Sequence, residues 1–182
     1  MTELSLAQRV LAIHAALSDI PHAFGGAIAL AYYAEPRGTV DIDLNLFVPV
    51  ERYPDVAAPL TELGARADDP VAAELVERDG QARIMWDRTP LDLFFAYDAF
   101  HHAAAGAIRV VPFADAEIPI LAPEHLLVCK AVFNRSKDWV DIEAMLLHDP
   151  GIDPAEVLRW VGRLAGDDDP RYDRVANLLI HR

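Results

Sequence analysis

Residues 25–48 read GGAIALAYYAEPRGTVDIDLNLFV: a Gly-Gly turn, an apolar helical run, a Pro-Arg-Gly-Thr loop, and two aspartates one residue apart. Within VDIDLNL, residues 40–46, apolar and polar side chains alternate, which predicts a β-strand with one apolar face. Asp41, Asp43 and Asn45 then share the polar face, with the two carboxylates roughly 7 Å apart by strand rise. Because two such carboxylates repel each other unless a cation relieves them, the strand is a candidate divalent-metal site.

A third acid stands in LDLFF, residues 91–95. Asp92 interrupts an otherwise apolar strand, where an aspartate is disfavoured by strand propensity and by burial, so it needs a compensating partner. Asp87 and Asp98 are rivals, but both lie at predicted strand ends, where acids need no explanation. Asp92 is therefore predicted to be the third metal ligand.

Composition limits the classes of protein to consider. The chain has 182 residues, of which 53% are hydrophobic, which suits one domain or a domain with a small helical annex. It has neither an apolar run of transmembrane length nor a signal-peptide pattern, so a cytoplasmic protein without membrane association is predicted. The net charge of −13 argues against attraction of nucleic acid by the whole surface. A polynucleotide substrate would need a local basic groove.

The hydrophobic pattern changes from mixed elements to helices near residue 123. The predicted strands are Ile20–Phe24, Thr39–Val48, Gln81–Asp87, Leu91–Tyr97, Ile108–Phe113 and Ile118–Leu121. The predicted helices are Glu3–Ser18, Ala27–Ala34, Arg52–Gly64, a short one ending at Arg78, Glu124–Phe133, Lys137–Leu147, Pro154–Leu164 and Arg171–Ile180. This order predicts an α/β (α+β) fold, with a mixed β-sheet flanked by helices in residues 1–122. Residues 123–182 are predicted to form a helical C-terminal subdomain packed on that core.

Only two of the sixteen basic residues are lysines, Lys130 and Lys137. In an arginine-rich chain, two lysines seven residues apart indicate positions where a compact ammonium group is needed, although two ordinary surface lysines are the alternative. The break at residues 134–136 places them on successive helices, from which both side chains could reach one cleft.

Residues 25–48 resemble the signature of the polymerase-beta-type nucleotidyltransferases, which is Gly-Gly or Gly-Ser, a helix, Arg-x-Thr, and then Asp-x-Asp. Residues 123–146, PEHLLVCKAVFNRSKDWVDIEAML, resemble the lysine-, arginine- and Lys-Asp-containing helices of the abortive-infection-type branch, which includes toxins of toxin–antitoxin pairs. The resemblance extends from about Ala23 to Leu147. It implies a nucleotidyltransferase fold and transfer of NMP from an NTP to an acceptor hydroxyl, with Mg²⁺ or Mn²⁺ as cofactor.

The resemblance also assigns roles to residues. Asp41, Asp43 and Asp92 correspond to the metal triad and catalytic acids, and Asp92 is either the general base or a second-metal ligand. The other matched positions are Gly25 and Gly26 at the nucleotide-phosphate turn, Lys130 and Lys137 near the triphosphate, with Lys130 also catalytic, and Asp138 and Asp141 on the second helix. Arg37, Thr39 and Asp138 join the nucleotide-binding set, with Arg37 bracing the loop beside the acids and Thr39 satisfying backbone groups there.

The implied partners are an NTP, an acceptor that is a protein, an RNA or a small molecule, and an antitoxin. Two other classes of protein stay open at this point. One is a non-catalytic nucleotide-binding or scaffolding protein of the same fold. The other is a glycosyltransferase, in which Asp-x-Asp holds a metal and a sugar nucleotide, although the chain lacks the succession of parallel βα units expected before that motif.

Overall fold

The computed structural model describes residues 4–96, 98–149 and 151–181. The chain forms two compact units: Met1–Ile28 with Gly38–Ile120, and Ala29–Arg37 with Leu121–Arg182. The division into domains 1–122 and 123–182 stays a prediction, because compactness does not establish that either part folds alone.

The first unit contains a mixed six-stranded sheet, as the sequence predicts. Its strands are β1 His22–Phe24, β2 Ile42–Leu46, β3 Gln81–Trp86, β4 Thr89–Phe95, β5 Arg109–Phe113 and β6 Ala116–Ile120. Their order across the sheet is β3-β4-β2-β1-β6-β5. Strand β2 runs parallel to β4 and antiparallel to β1, whereas β1 runs parallel to β6. The hairpins β3–β4 and β5–β6 form the two edges of the sheet.

Helices account for most of the remaining described residues. They are α1 Leu6–Ala16, α2 Gly26–Leu30, α3 Tyr53–Glu62, α4 Pro70–Asp79, α5 Ala99–Gly106, α6 Pro123–Phe133, α7 Ser136–His148, α8 Pro154–Ala165 and α9 Pro170–Ile180. Among the described residues, no helix is both long and apolar enough to cross a membrane.

The parallel pair β2–β4 forms the centre of the core and also positions the acids. Its inward side chains are fully buried; they are Ile42, Leu44, Leu46, Leu91, Leu93 and Phe95. Burial of one such side chain stabilises the fold by about 1.5–3 kcal/mol. Because successive side chains of a strand alternate between faces, this apolar face fixes Asp43 and Asp92 on the opposite one.

Several predicted boundaries differ from the structure. Strand β2 begins at Ile42 rather than Thr39, so Asp41 lies just before the strand. Helix α2 ends at Leu30 rather than Ala34. The predicted end of β4, Tyr97, lies outside the described residues.

Helix α5 was absent from the sequence prediction because its alanine-rich run, AFHHAAAG, shows no apolar periodicity. Its N-cap is Asp98, whose Oδ1 accepts a hydrogen bond from the His101 backbone N–H at 3.1 Å and lies 2.8 Å from the imidazole Nδ1. Asp98, one of the rivals of Asp92, therefore caps a helix.

In the second unit, the break between the two lysines is confirmed. Asn134 adopts a left-handed conformation with φ 57° directly after α6. Its Oδ1 accepts a hydrogen bond from the buried Trp139 indole at 2.8 Å. Lys130 lies on α6, and Lys137 lies on α7, which begins at Ser136 with Arg135 as its N-cap.

Candidate active site

Three neighbouring strands align the candidate acids with a base. In the parallel pair β2–β4, Asp43 is the register partner of Asp92, and in the antiparallel pair β3–β4, Arg83 is the partner of Asp92 on the other side. Register partners point to the same face of a sheet. Asp43, Asp92 and Arg83 therefore stand side by side across three strands, and Asp41 lies just before β2.

Arg83 is the functional candidate that sequence reasoning missed. Its Nε and Nη2 donate hydrogen bonds of 2.7 Å to the two carboxylate oxygens of Asp92, and Nη2 lies 3.8 Å from Asp41 Oδ2. The Asp41 and Asp92 oxygens are thus no farther apart than the sum of the two Nη2 distances. Hydrogen bonds to Asp92, with the charges of Asp92, Asp41 and Asp43, raise the pKa of the guanidinium above its ordinary value.

The sequence signal for Arg83 is indirect, because it depends on where the hairpin turns. The observed hairpin closes through a two-residue turn, Asp87-Arg88, with Trp86 opposite Thr89. A tight turn at Asp-Arg places Arg83 opposite Asp92, but the pair of residues lacks the glycine that usually marks such turns. Asp87 adopts the required positive φ, 52°, and its carboxylate is held by the buried Arg9 at 2.9 Å.

The Gly-Gly turn is in direct contact with the acid strand. The Gly25 backbone N–H donates a 2.9 Å hydrogen bond to the carbonyl of Asp43. Gly26 has φ 51°, and a Cβ added there would overlap the carboxylate of Asp43. Glycine is thus required at position 26 for two reasons, its left-handed backbone and the space that the Asp43 carboxylate fills.

Thr39 fixes the backbone in front of β2, as predicted. Its Oγ1 accepts a hydrogen bond from the Asp41 N–H at 3.2 Å and lies 3.3 Å from the Asp41 carbonyl oxygen, to which it donates. The contact restrains Asp41 although that residue lies outside the strand. A direct contact between Thr39 and a nucleotide stays a prediction.

The donor set suits a divalent cation. Asp41, Asp43 and Asp92 supply carboxylate oxygens, the ligands that Mg²⁺ and Mn²⁺ prefer. Within residues 4–96, 98–149 and 151–181, however, no three acidic, histidine or cysteine side chains converge into a ready metal cluster. Both oxygens of Asp92 are engaged by Arg83.

In the second unit, Lys130 belongs to a buried ion-pair network. Its Nζ lies 2.6 Å from Asp141 Oδ2, with 4% and 6% of the two side chains exposed. Arg37 donates to the two oxygens of Asp141 at 3.1 and 3.0 Å. Burial opposes ionisation of Asp141 most strongly, but hydrogen bonds and charges of Arg37 and Lys130 together outweigh it and lower its pKa.

These contacts revise the expected roles of two residues. Lys130 was expected near the triphosphate as a catalytic residue, and its ammonium is instead buried against Asp141. Arg37 was expected to brace the loop beside the acids, whereas its guanidinium forms a bidentate pair with Asp141. Contact of either residue with an NTP stays a prediction.

Asp138 pairs with Arg135 rather than with the neighbouring Lys137. Asp138 is fully buried and accepts hydrogen bonds from the Arg135 guanidinium at 2.7 and 3.1 Å and from the Arg135 backbone N–H at 3.1 Å. Asp138 thus stabilises the start of α7, while Lys137 is exposed on the same helix. Contact of Lys137 with a triphosphate stays a prediction.

We expect Asp141→Asn to lower the free energy of unfolding by about 3–5 kcal/mol, because it leaves the Lys130 ammonium buried without its counter-charge. Urea unfolding at pH 7 measures the loss. Arg37→Gln is the matched control: its side chain is 38% exposed, so its removal should cost about 1 kcal/mol or less. Equal effects of the two variants would contradict a buried pair.

The stability difference between the wild type and Asp141→Asn should depend on pH. Since the pKa of Asp141 is lowered in the folded protein, its contribution is present above the ordinary aspartate value of about 3.9 and is lost as pH falls through the lowered pKa. The stability difference between the wild type and Asp141→Asn should therefore shrink below about pH 4.

Comparison with known proteins identifies the class. The fold is that of a nucleotidyltransferase. A family model described as the nucleotidyl transferase AbiEii toxin of type IV toxin–antitoxin systems matches residues 9–179, almost the whole chain. The chain belongs to this AbiEii nucleotidyltransferase toxin family, which confirms the resemblance drawn from its motifs.

Solved structures agree on the fold. The solution structure of the antibiotic-resistance factor ANT(2'')-Ia matches with a TM-score of 0.64 at 19% identity, covering 97% of each chain. The crystal structure of ANT(2'')-Ia with adenylyl-2''-tobramycin matches with a TM-score of 0.60 at 16% identity, covering 87% of this chain and 96% of the other. An antigenic nucleotidyltransferase-like protein from Paracoccidioides brasiliensis matches at 0.50 and 15% identity, covering 95% and 92%. No curated protein sequence matches.

Proposed function

We propose that this nucleotidyltransferase transfers NMP from an NTP to an acceptor hydroxyl in a reaction that depends on Mg²⁺ or Mn²⁺. The observation that supports it best is the register of β2 and β4, which pairs Asp43 with Asp92 directly beside the Gly25-Gly26 turn. Acids on one face beside a backbone turn suit a metal–triphosphate complex, which needs carboxylates for the cation and amides for the phosphates.

Asp41, Asp43 and Asp92 would hold the divalent cation. When bound, the cation neutralises phosphate charge and lowers the pKa of the acceptor hydroxyl. The Gly25 N–H anchors the backbone carbonyl of Asp43, glycine at position 26 leaves room for the Asp43 carboxylate, and Thr39 fixes the Asp41 backbone. Asp92 has a 17% exposed side chain and could take the acceptor proton at a carboxylate oxygen. In this proposal the residues of the chain act mainly by positioning the reactants and by supplying fixed charges around them.

The two other classes of protein receive less support. A scaffold that had lost catalysis would have no need for the close fit between Gly26 and Asp43. A glycosyltransferase would share the Asp-x-Asp motif, but the chain belongs to a nucleotidyltransferase family. A thermal shift with NTPs that requires Mg²⁺ would support the proposal, and a shift with sugar nucleotides alone would favour the glycosyltransferase.

For the acceptor, we propose a protein or a small molecule before RNA. The net charge of −13 disfavours a polyanionic acceptor that is held by the whole surface. Similarity to ANT(2'')-Ia, which was solved with adenylyl-2''-tobramycin, adds a small hydroxyl compound to the acceptors worth testing. A family of toxins also implies an antitoxin that counteracts the transfer.

We expect one of the four α-³²P-labelled NTPs to label a component of cell extract when Mg²⁺ or Mn²⁺ is present, and none to do so in EDTA. Protease digestion, ribonuclease digestion and filtration then distinguish a protein, an RNA and a small-molecule acceptor. Tobramycin and purified tRNA are added in separate reactions. Labelling that persists in EDTA would contradict metal dependence, and the absence of labelling by every NTP in every fraction would contradict the proposed transfer.

A further inference from the structure

Arg83 provides the positive charge that the acids need in the absence of a metal. Its guanidinium binds both oxygens of Asp92 at 2.7 Å and lies 3.8 Å from Asp41. Among the described residues no ready-made metal cluster exists. The hydrogen bonds that satisfy Arg83 and the bonds that a metal needs thus involve the same oxygen atoms.

We infer that Arg83 is an internal counter-ion that competes with the divalent cation for Asp92, so that metal binding is coupled to release of the Arg83 side chain. This inference rests on the proposed function, since it needs a metal at the acids. It goes beyond that function because it assigns to Arg83 control of metal affinity.

The position of Arg83 allows such an exchange. Strand β3 is an edge strand of the sheet, and the Arg83 side chain is 55% exposed, whereas Asp92 lies on the inner strand β4 with 17% exposure. Asp92 is thus restrained within the sheet, whereas the Arg83 side chain can rotate into solvent. Ion pairs with one well-exposed partner are weak enough to exchange. In the metal-free state the pair also relieves repulsion among Asp41, Asp43 and Asp92.

The inference predicts tighter metal binding when the arginine is removed. Mn²⁺ is titrated without nucleotide and followed by the electron paramagnetic resonance of free Mn²⁺. We expect Arg83→Gln to bind Mn²⁺ about two- to five-fold more tightly than the wild type, which is the range that an ion pair with one well-exposed partner allows. Its thermal stabilisation by a given Mn²⁺ concentration should increase correspondingly.

Arg78→Gln is the matched control. Arg78 also forms a bidentate pair with an aspartate, Asp79, at 2.9 and 2.6 Å, and the substitution removes the same charge from the first unit. Its Mn²⁺ affinity should equal that of the wild type, so any general effect of charge would be seen there. Arg83→Lys keeps the charge and loses the two-pronged geometry, so its affinity should lie between those of the wild type and Arg83→Gln.

Two further comparisons make the result decisive. On the Asp92→Asn background, Arg83→Gln should produce no gain in Mn²⁺ affinity, because the oxygen atoms for which Arg83 competes no longer carry a charge. If Arg83→Gln and Arg83→Lys, both folded by their unfolding transitions without metal, bind Mn²⁺ no more tightly than the wild type, the inference is overturned while the proposed function stands. If wild-type Mn²⁺ binding is unaffected by Asp43→Asn, the metal site of the proposed function fails, and the inference fails with it.

Discussion

Replacing Asp41 and Asp43 together by asparagine should abolish nucleotidyl transfer, with a loss of more than about 100-fold, and leave the fold intact. Asparagine keeps the size of each side chain and removes the charge that a divalent cation requires. Arg83 still has Asp92 as its bidentate partner, and relief of repulsion between the acids should leave stability unchanged or slightly higher. The labelled-NTP reaction and urea unfolding measure the two effects.

A double control removes the same charge elsewhere. Asp55 and Asp79 are exposed acids that pair with arginines of neighbouring sequence, Arg52 and Arg78. Asp55→Asn with Asp79→Asn should retain full transfer and change stability little, because ion pairs between exposed side chains contribute little. Equal incorporation of label by both double variants would refute the assignment of the acids.

The mixed sheet could be predicted because its central strands follow simple alternation. Ile42, Leu44 and Leu46 are fully buried, so the period of two fixed which face carries Asp43. The same reasoning identified Asp92 as an acid in an apolar strand that needs a compensating partner. The pairing of Arg83 with Asp92 depends on the register of the β3–β4 hairpin. That register could not be predicted, because an Asp-Arg turn lacks the glycine that usually marks a two-residue turn.

Other features required three-dimensional contacts that periodicity does not encode. Residues 29–37 join the helical unit although a sheet strand follows them in the chain. As a result Arg37 pairs with Asp141, more than a hundred residues away in sequence. Lys130 was correctly singled out as unusual, but the sequence does not tell whether such a lysine faces a ligand or a buried aspartate. Here the ammonium faces Asp141.

Gly26→Ala should be the most damaging single substitution in the Gly-Gly turn. An alanine there meets two obstacles, a left-handed backbone at φ 51° and overlap of its Cβ with the Asp43 carboxylate. The backbone conformation alone costs about 1–2 kcal/mol for a non-glycine residue. The overlap must in addition displace Asp43, Gly26 or both, so the metal ligand moves. We expect transfer to fall by more than about 100-fold, because an error of 1 Å in a catalytic group already costs about that factor.

Gly64→Ala separates these two causes. Gly64 also has a positive φ, 96°, but a Cβ there would lie 3.5 Å from the Trp86 indole nitrogen, an ordinary contact. Gly64→Ala should therefore lower the free energy of unfolding by about 1–2 kcal/mol, the cost of the left-handed backbone alone, as measured by urea unfolding. Its rate of nucleotidyl transfer should equal that of the wild type. Gly26→Ala should lose more stability, transfer and Mn²⁺ affinity together. If the two alanine variants transferred NMP equally well, the contact between Gly26 and Asp43 would have no catalytic importance, and the turn would serve the fold alone.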